Sequence, residues 1–249
     1  MENNLEKFGA VILAAGKGTR LGCTDRPKVM LELAGKPIVG YTVDTLEKIG
    51  LSSEKIILVV GFCHEVVEKY FGNRATFAMQ NEQRGTAHAA MTGMRVLPTN
   101  VTDVLVMGGD DSAFYTPETL VKLMNEHVES GATTTLLTVK IEDPGAYGRV
   151  VYEAGGVKVI EKEYVSEEQK KINEVSTGTY CFKREWFETM FPNLPLLEKL
   201  NEWVLPMAFA EAHNQGLKQH VVCMENSAEW FGVNTPAELI EAQRRKSIN

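Results

Sequence analysis

The sequence predicts an α/β protein with a mixed, mostly parallel central sheet and a small β-rich lobe. Short β-rich runs alternate with helical segments through the first 140 residues, as expected of a layered sheet with crossover helices. Beyond residue 140 the pattern changes to hairpin-like strands, with no Gly/Ser-rich linker between the two parts. A chain of 249 residues that is 44% hydrophobic can bury one full core. We therefore expect a single domain over residues 1–249, divided near residue 140.

Apolar runs identify the strands of the first part. The predicted strands cover residues 8–13, 56–60, 75–79, 104–108 and 133–140. Three helices are predicted among them: one between Pro37 and Gly50, one that begins near Thr86, and one that follows an N-cap at Thr116 and ends before Gly131. This order of elements predicts helices packed against a largely parallel sheet.

The later part predicts fewer and less regular elements. A β-hairpin should turn at Gly155 and Gly156, and residues 175–182 should form a further strand. Between them lies a highly charged stretch, residues 162–174, which predicts an exposed loop or short helix. Two terminal helices are expected near residues 203–215 and 236–246.

Charge and composition exclude several classes of protein. The chain has 26 basic and 33 acidic residues, a net charge of -7, which argues against a nucleic acid or an anionic membrane as partner. No apolar run approaches the roughly 18 residues of a membrane span, and the start, MENNLEKFG, lacks the layout of a signal peptide. We expect a cytoplasmic protein. The four cysteines form no C-x-x-C pair and are expected to be small buried residues rather than zinc ligands or disulfides.

The glycine-rich segment LAAGKGTRLGCTDRPK, residues 13–28, follows the first predicted strand. It fails the P-loop pattern twice, because Val11 stands at the first glycine position and Gly18 at the Ser/Thr position. It fails the dinucleotide fingerprint once, at Leu21. The glycines alone would suit any tight turn. The cations Arg20 and Lys28 add a reason to expect a triphosphate, since free backbone N–H groups and positive charge together can hold one.

The order of residues in this segment resembles a known family. L-A-A-G-x-G-T-R, then P-K, then L-A-G-K-P at residues 33–37, is similar to the opening of sugar-1-phosphate nucleotidylyltransferases. Within that family it most resembles the uridylyltransferase domain of the bifunctional N-acetylglucosamine-1-phosphate uridylyltransferase/glucosamine-1-phosphate acetyltransferase. The resemblance implies a Rossmann-like fold of glycosyltransferase type A, with Arg20 and Lys28 as catalytic cations. It also implies that the following residues contact the nucleotide: Leu13, Ala14, Ala15, Gly16, Gly18 and Thr19.

A second motif of the same family reads the base. Its pattern Q-x-x-Q-x-G-T-x-H-A is matched by QNEQRGTAHA, which supplies Gln80, Gln83, Gly85, Thr86 and His88. A glutamine amide carries a donor and an acceptor, as the edge of a pyrimidine requires. The resemblance therefore implies that these residues recognise uracil and that UTP is the preferred nucleotide.

Two segments resemble the magnesium ligands of the family. VLVMGGD places Asp110 at the end of a predicted strand, where open α/β sheets bind ligands, and GVN places Asn234 as the second ligand. Asp111 departs from the family pattern, and either a metal pair or a polar turn would explain it. The implied cofactor is Mg²⁺.

The sugar side resembles the family less closely. Gly148 in AYGR, Glu161 in VIEKE and Ser176 in VSTG align with sugar-contacting positions, although the family has asparagine where this chain has Ser176. The family segment G-E-Y-x-x-T-D has no counterpart, and residues 197–212 read LEKLNEWVLPMAFAEA instead. The chain contains no hexapeptide repeats, so we expect no acetyltransferase half within it.

The resemblance implies in-line attack of a sugar 1-phosphate on the α-phosphorus of the triphosphate, with release of pyrophosphate. The acceptor would be N-acetylglucosamine 1-phosphate or another hexose 1-phosphate. Three alternatives remain open: a cytidylyltransferase or other nucleotidyltransferase with a different phosphorylated acceptor, a non-catalytic nucleotide sensor, and a nicotinamide- or flavin-dependent oxidoreductase. No feature of the sequence indicates an oligomeric state.

Overall fold

A computed structural model describes residues 4–145 and 147–248. The first three residues of the amino-terminal stretch considered above lie outside this range. The strands are β1 Phe8–Leu13, β2 Glu32–Leu33, β3 Lys36–Pro37, β4 Ile56–Val60, β5 Thr76–Met79, β6 Asp103–Gly108, β7 Thr134–Lys140, β8 Arg149–Glu153, β9 Gly156–Ile160, β10 Glu174–Lys183 and β11 Gln219–Cys223. The helices are α1 Ile38–Lys48, α2 His64–Phe71, α3 Thr86–Met94, α4 Pro117–Ser130, α5 Arg184–Met190, α6 Leu205–Asn214 and α7 Pro236–Ile248.

The main sheet has the strand order β11-β7-β10-β6-β1-β4-β5. Strand β1 runs parallel to β4 and β6, β5 is parallel to β4, and β11 is parallel to β7. Strand β10 runs antiparallel between β6 and β7. The predicted mixed, mostly parallel α/β sheet is therefore confirmed, and the carboxyl ends of β1, β4 and β6 meet at one edge.

The hairpin β8–β9 extends the sheet through a single pairing of Arg149 with Val175 on β10. Because β10 comes from the later part of the chain but lies between β6 and β7, both parts share one sheet. The boundary near residue 140 within a single domain stays a prediction.

Helices cover both faces of this sheet. One apolar cluster joins the strands to α1 and α4, through Val39 and Leu123 for example. The other joins them to α3, α5 and α6, through Ala90 and Phe187. All five residues of β4 are buried, as a strand covered on both faces requires. The site at the sheet edge is thus carried by a rigid layered core.

Most of the predicted elements are confirmed. Thr116 caps α4 by accepting a hydrogen bond from the Thr119 N–H, and the hairpin turns at Gly155 with φ of +103°. Most of the charged stretch, residues 162–173, is an irregular, mostly exposed segment with two short 3₁₀ turns, and its last residue, Glu174, begins β10. Among the described residues, no helix is both long and apolar enough to cross a bilayer.

Five elements were missed, namely the strands β2, β3 and β11 and the helices α2 and α5, and one expectation was wrong. Strand β11 contains polar residues and is largely half-buried, so it has no continuous apolar run that would predict a strand. Helix α5 has only seven residues, too few to show a helical period. The cysteines are free, but only Cys23 and Cys181 are buried; Cys63 is partly exposed and Cys223 is exposed. The prediction of four buried cysteines is therefore wrong for two of them.

Candidate functional site

A cleft of about 840 Å³ opens at the carboxyl ends of β1 and β6 and extends to the β8–β9 hairpin. Most of the residues singled out in the sequence line it: Leu13, Ala15, Gly16, Arg20, Lys28, Gln80, Gln83, Gly85, Thr86, Asp110, Gly148, Glu161, Ser176 and Asn234. Residues more than 200 positions apart in sequence thus share one cavity. Three predicted nucleotide contacts, Ala14, Gly18 and Thr19, are not among its lining residues.

These three residues support the loop around the cleft. Ala14 is buried, and its N–H donates to the Val59 carbonyl at 2.9 Å. Gly18 has φ of +74°, and a Cβ at this position would lie 2.7 Å from the Lys28 Cβ. Thr19 is exposed at the start of a 3₁₀ turn. The glycine at position 18 therefore allows the close approach of Lys28, a packing role that the motif alone does not reveal.

Arg20, Lys28, Asp110 and Asn234 converge at the middle of the cleft, and we call these four residues the transfer centre. Lys28 Nζ pairs with Asp110 Oδ2 and also donates to Asn234 Oδ1 at 3.1 Å. Arg20 Nη2 donates to the same Asn234 oxygen at 3.1 Å. The Lys28 and Asp110 side chains are only 15% and 22% exposed, so solvent screens their attraction less than at an open surface.

Backbone contacts join the two segments that carry Asp110 and Asn234. The Val233 N–H donates to the Asp110 carbonyl at 3.1 Å. Glu238 Oε2 accepts from the N–H groups of Asn234 and Thr235 at 2.7 and 2.8 Å, and the Glu238 N–H donates to Thr235 Oγ1 at 3.3 Å. The last two contacts form a capping box at the start of α7, which the T-P-A-E spacing encodes.

Asp111 lies beside the transfer centre. Its Oδ1 is buried and has no hydrogen-bond partner among the described residues. Burial, and then the charge of Asp110, raise the pKa of this carboxyl well above its ordinary value. A Cβ at Gly108 would lie 2.6 Å from Asp111 Oδ1, so the glycine makes room for this carboxyl. The arrangement favours a half-buried Asp111 carboxyl with a raised pKa over a solvated polar turn.

The two glutamines border the other side of the cleft. Gln80 is 5% exposed, and its Nε2 lies 2.9 Å from His88 Nδ1 and 3.5 Å from the Gly85 carbonyl. Gln83 Nε2 donates to the Ala15 carbonyl. Among the described residues neither glutamine carbonyl oxygen accepts a hydrogen bond. Both side-chain amide N–H groups therefore donate within the protein, while the side-chain oxygens remain available to accept a hydrogen bond from a ligand.

His88 supports this orientation of Gln80. Burial, followed by the positive charges of Arg84 and Arg95, lowers the pKa of the His88 ring. The neutral ring leaves one nitrogen free to accept, which suits a donating amide from Gln80. His88 is thus a supporting residue of this motif.

The segment that lacked a family counterpart also borders the cleft. The Trp203 N–H donates to the Arg84 carbonyl at 2.9 Å, and the Leu205 N–H donates to Thr86 Oγ1 at 3.0 Å. Gly85 has φ of +103°, and a Cβ there would lie 2.4 Å from the Trp203 carbonyl oxygen. The residues of this segment that line the cleft are Glu202, Leu205 and Pro206. Sequence analysis missed this wall because its contacts join residues more than 100 positions apart.

Gly148, Glu161 and Ser176 lie at the far side of the cleft, and we call them the acceptor wall. A Cβ at Gly148 would lie 3.9 Å from Glu161 Oε2, so these two residues are neighbours. Burial, then the nearby Glu163, raises the pKa of the Glu161 carboxyl. Ser176 Oγ lies 3.2 Å from the Tyr180 hydroxyl.

Two aromatic residues at the cleft were not predicted. The rings of Tyr147 and Trp230 meet edge to face with centroids 4.7 Å apart, and both line the cavity. Burial raises the pKa of Tyr147 to about 12. Tyr147 lies within the motif AYGR, and Trp230 stands two residues before GVN, so their positions were visible in the sequence although their role was not.

Comparison with known proteins identifies relatives of this chain. The nucleotidyl transferase family matches residues 9–247. The bifunctional protein GlmU of Symbiobacterium thermophilum is 37% identical over 246 residues, which is 96% of this chain and 51% of the relative. GlmU of Bacillus cereus strain AH187 is 38% identical over 239 residues, 94% of this chain and 50% of the relative. The chain therefore spans about half the length of these curated relatives.

A solved structure shows the same fold. It is a Bacillus anthracis protein provisionally assigned as a glucose-1-phosphate thymidylyltransferase, in complex with sucrose. It matches with a TM-score of 0.77 at 19% identity and covers 97% of this chain and 96% of its own. The match over residues 9–247 shows that the chain belongs to the nucleotidyl transferase family.

Proposed function

We propose that this chain transfers a uridylyl group from UTP to a sugar 1-phosphate, with Mg²⁺ as cofactor and pyrophosphate as the second product. The acceptor is N-acetylglucosamine 1-phosphate or another hexose 1-phosphate. The observation that carries the proposal is the position of the transfer centre, which lies in one cleft with the glutamine pair and the acceptor wall. A nucleotide base and a sugar could each occupy one side while their phosphates meet at the middle.

The oxygen atoms of the transfer centre suit a magnesium ion. Asp110 Oδ2 and Asn234 Oδ1 both contact the Lys28 ammonium group, so they already stabilise a positive charge at the point where they converge. Mg²⁺ in nucleotide enzymes is held by one or two protein oxygens while substrate phosphates and waters supply the rest. Asp110 and Asn234 would hold the ion, which when bound neutralises phosphate charge and orients the two substrates.

The remaining work falls to positioning and charge. The acceptor phosphate is already an anion, so no protein base has to activate it and no covalent enzyme intermediate is needed. Arg20 and Lys28 stabilise the charge that develops on the triphosphate as pyrophosphate leaves. The backbone around Gly16, which is exposed in the cleft, leaves space for a phosphate to approach.

The glutamine pair supports a uracil base. The carbonyl oxygens of Gln80 and Gln83 have no partner among the described residues, while their amide nitrogens contact His88, Gly85 and Ala15. Free acceptors favour a base that offers a ring N–H, as uracil does at N3 and cytosine does not. This polarity supports UTP over CTP.

A different phosphorylated acceptor is the second candidate. Ser176 replaces the family asparagine, and the wall formed by residues 202–206 departs from the family sequence. Ser176 lies on the acceptor wall, whereas residues 202–206 contact the base motif at Arg84 and Thr86. Both departures favour a changed acceptor over a changed reaction, since all four residues of the transfer centre are present. They equally suit a nucleotide sensor that has lost its acceptor.

A pyrophosphate-release screen separates these candidates. Four nucleoside triphosphates are crossed with a panel of hexose 1-phosphates and small phospho-alcohols, with and without Mg²⁺. We expect release with UTP and a hexose 1-phosphate, abolished by EDTA. Release with phospho-alcohols alone would identify the second candidate. Binding of UTP with no release on any acceptor would overturn the enzymatic proposal in favour of a sensor.

A further inference from the structure

We propose that Glu238 is a positioning residue that fixes the metal-binding oxygen of Asn234. The proposal rests on the proposed function, because it assumes that Asn234 holds Mg²⁺. It concerns a residue on α7 that no motif of the sequence singled out, and whose carboxylate reaches the back of the transfer centre.

The contacts of Glu238 exceed those that a helix cap needs. A capping box requires one bond from the carboxylate to the N-cap N–H, here Thr235, and the reciprocal bond to Thr235 Oγ1. Glu238 Oε2 accepts a further bond of 2.7 Å from the Asn234 N–H, one residue before the cap. This extra bond fixes the backbone of the residue that carries the predicted ligand.

The side chain of Asn234 is held from the opposite direction. Its Oδ1 accepts from Arg20 and Lys28, each at 3.1 Å. Its Nδ2 faces Gly232, where a Cβ would lie 3.2 Å from that nitrogen. With the backbone tied to Glu238 and the amide seated over Gly232, the Oδ1 is directed into the cleft.

A carboxylate is well suited to this task. Hydrogen bonds from N–H groups to an ionised acceptor are stronger than those to a neutral one, and the start of a helix favours negative charge. Removal of groups that orient metal ligands typically weakens metal affinity by about 10- to 100-fold. We expect a loss of this size when the carboxylate is removed.

The test measures how much Mg²⁺ strengthens UTP binding. Dissociation constants for UTP are determined by calorimetry in Mg²⁺ and in EDTA, and their ratio is the metal-dependent gain. We expect Glu238→Ala to reduce this gain by about 10- to 100-fold with little change in EDTA. Glu238→Gln keeps an acceptor oxygen and should restore most of the gain.

Two control variants separate positioning from helix stability. Thr235→Ala breaks the other side of the capping box but leaves the carboxylate free to bind the Asn234 N–H. It should lower the melting temperature about as much as Glu238→Ala while it keeps the gain. Glu241→Ala removes a carboxylate on the same helix that pairs with Arg244 and Arg245 instead, and should leave the gain unchanged.

The results for these variants distinguish the positioning role of Glu238 from the metal-binding role of Asn234. A full gain in Glu238→Ala, or an equal loss in Thr235→Ala, would overturn the positioning role, since the residue would then act only as a cap. Asn234→Ala tests the proposed function separately: if it retains the full gain, Asn234 does not hold the metal. Loss of the gain in Asn234→Ala but not in Glu238→Ala contradicts only the present inference.

Discussion

The transfer centre and the acceptor wall satisfy their polar groups in opposite ways. In the transfer centre Lys28 contacts both Asp110 and Asn234, so charges are compensated within the protein. In the acceptor wall the Glu161 carboxyl is placed where burial raises its pKa. The first region is organised in advance to receive highly charged phosphates. The second keeps an imperfectly solvated polar group, which a ligand hydroxyl could satisfy.

The largest expected effect tests the transfer centre. Lys28→Ala should lower kcat for pyrophosphate release by about 100- to 1,000-fold at saturating substrates, the scale of losing one preorganised electrostatic group. Lys17→Ala is the matched control, because Lys17 lies in the same loop but is exposed and rests over the Phe62 ring. A loss below tenfold in Lys28→Ala would mean that charge compensation here serves stability rather than transfer.

The next prediction tests whether the base side and the acceptor side are coupled through Gly85. Gly85 has φ of +103°, which an alanine adopts only with strain, and an alanine Cβ would lie 2.4 Å from the Trp203 carbonyl oxygen. This oxygen belongs to the backbone and cannot move aside as the end of a side chain could. Gly85→Ala should cost about 1–3 kcal/mol of folding free energy and raise KM for both substrates.

Gly16→Ala serves as the stability control for Gly85→Ala. No atom lies within 4 Å of a Cβ built at Gly16, so its melting temperature should match the parent protein. A rise in KM for UTP alone in Gly85→Ala would show that the two sides of the cleft act independently. An unchanged melting temperature would contradict the close contact with Trp203.

The third prediction concerns pH and the acceptor wall. The Glu161 pKa is raised above its ordinary value of 4.5, so the folded state favours the protonated form. Well below pH 4.5 the carboxyl is protonated in both the folded and unfolded states, so it does not change the free energy of unfolding. As pH rises from there through the raised pKa, the carboxyl ionises more readily in the unfolded state, and the folded state loses stability. Glu161→Gln removes this cost. Its melting temperature should therefore exceed that of the parent protein at neutral pH, with the difference vanishing in acid.

The same variant should bind the acceptor less well, since an amide replaces the carboxylate. Melting curves across the pH range and KM for the sugar phosphate check the two halves of the prediction. Parallel melting profiles for the two proteins would contradict the raised pKa. A more stable variant with an unchanged KM would remove Glu161 from the acceptor site.

The sequence was most informative where chemistry and chain order coincide. The continuous apolar sequence IILVV of β4 predicts a strand buried on both faces. The order of Arg20, Lys28 and Asp110 along the chain matches a family motif. Neither inference needs knowledge of long-range contacts. The fold class and the nucleotide half of the candidate site could therefore be predicted.

Other features depend on contacts that no local pattern encodes. Glu238 resembles any capping glutamate until its bond to the Asn234 N–H is seen. Trp203 is unremarkable in sequence, yet its backbone closes the wall beside Gly85. Gly18 matches a phosphate motif but in the structure makes room for Lys28. These roles depend on tertiary contacts between distant segments, which cannot be inferred from a single sequence.

The smallest expected effect concerns Ser176. Its Oγ accepts from the Gly178 N–H at 3.2 Å and lies 3.2 Å from the Tyr180 hydroxyl. If Ser176 Oγ also bonds the acceptor, Ser176→Ala removes one neutral hydrogen bond to it; such a bond is worth about 0.5–1.5 kcal/mol, which corresponds to a rise of about two- to tenfold in KM for the acceptor.

KM for UTP should stay constant in Ser176→Ala, because the serine lies on the acceptor wall and has no contact with the transfer centre among the described residues. Steady-state kinetics with each substrate varied in turn measure both values. Equal changes in the two constants would show that the wall shapes the whole cleft. A change for the acceptor alone would show that acceptor binding is controlled by neutral groups, separately from the charged groups of the transfer centre.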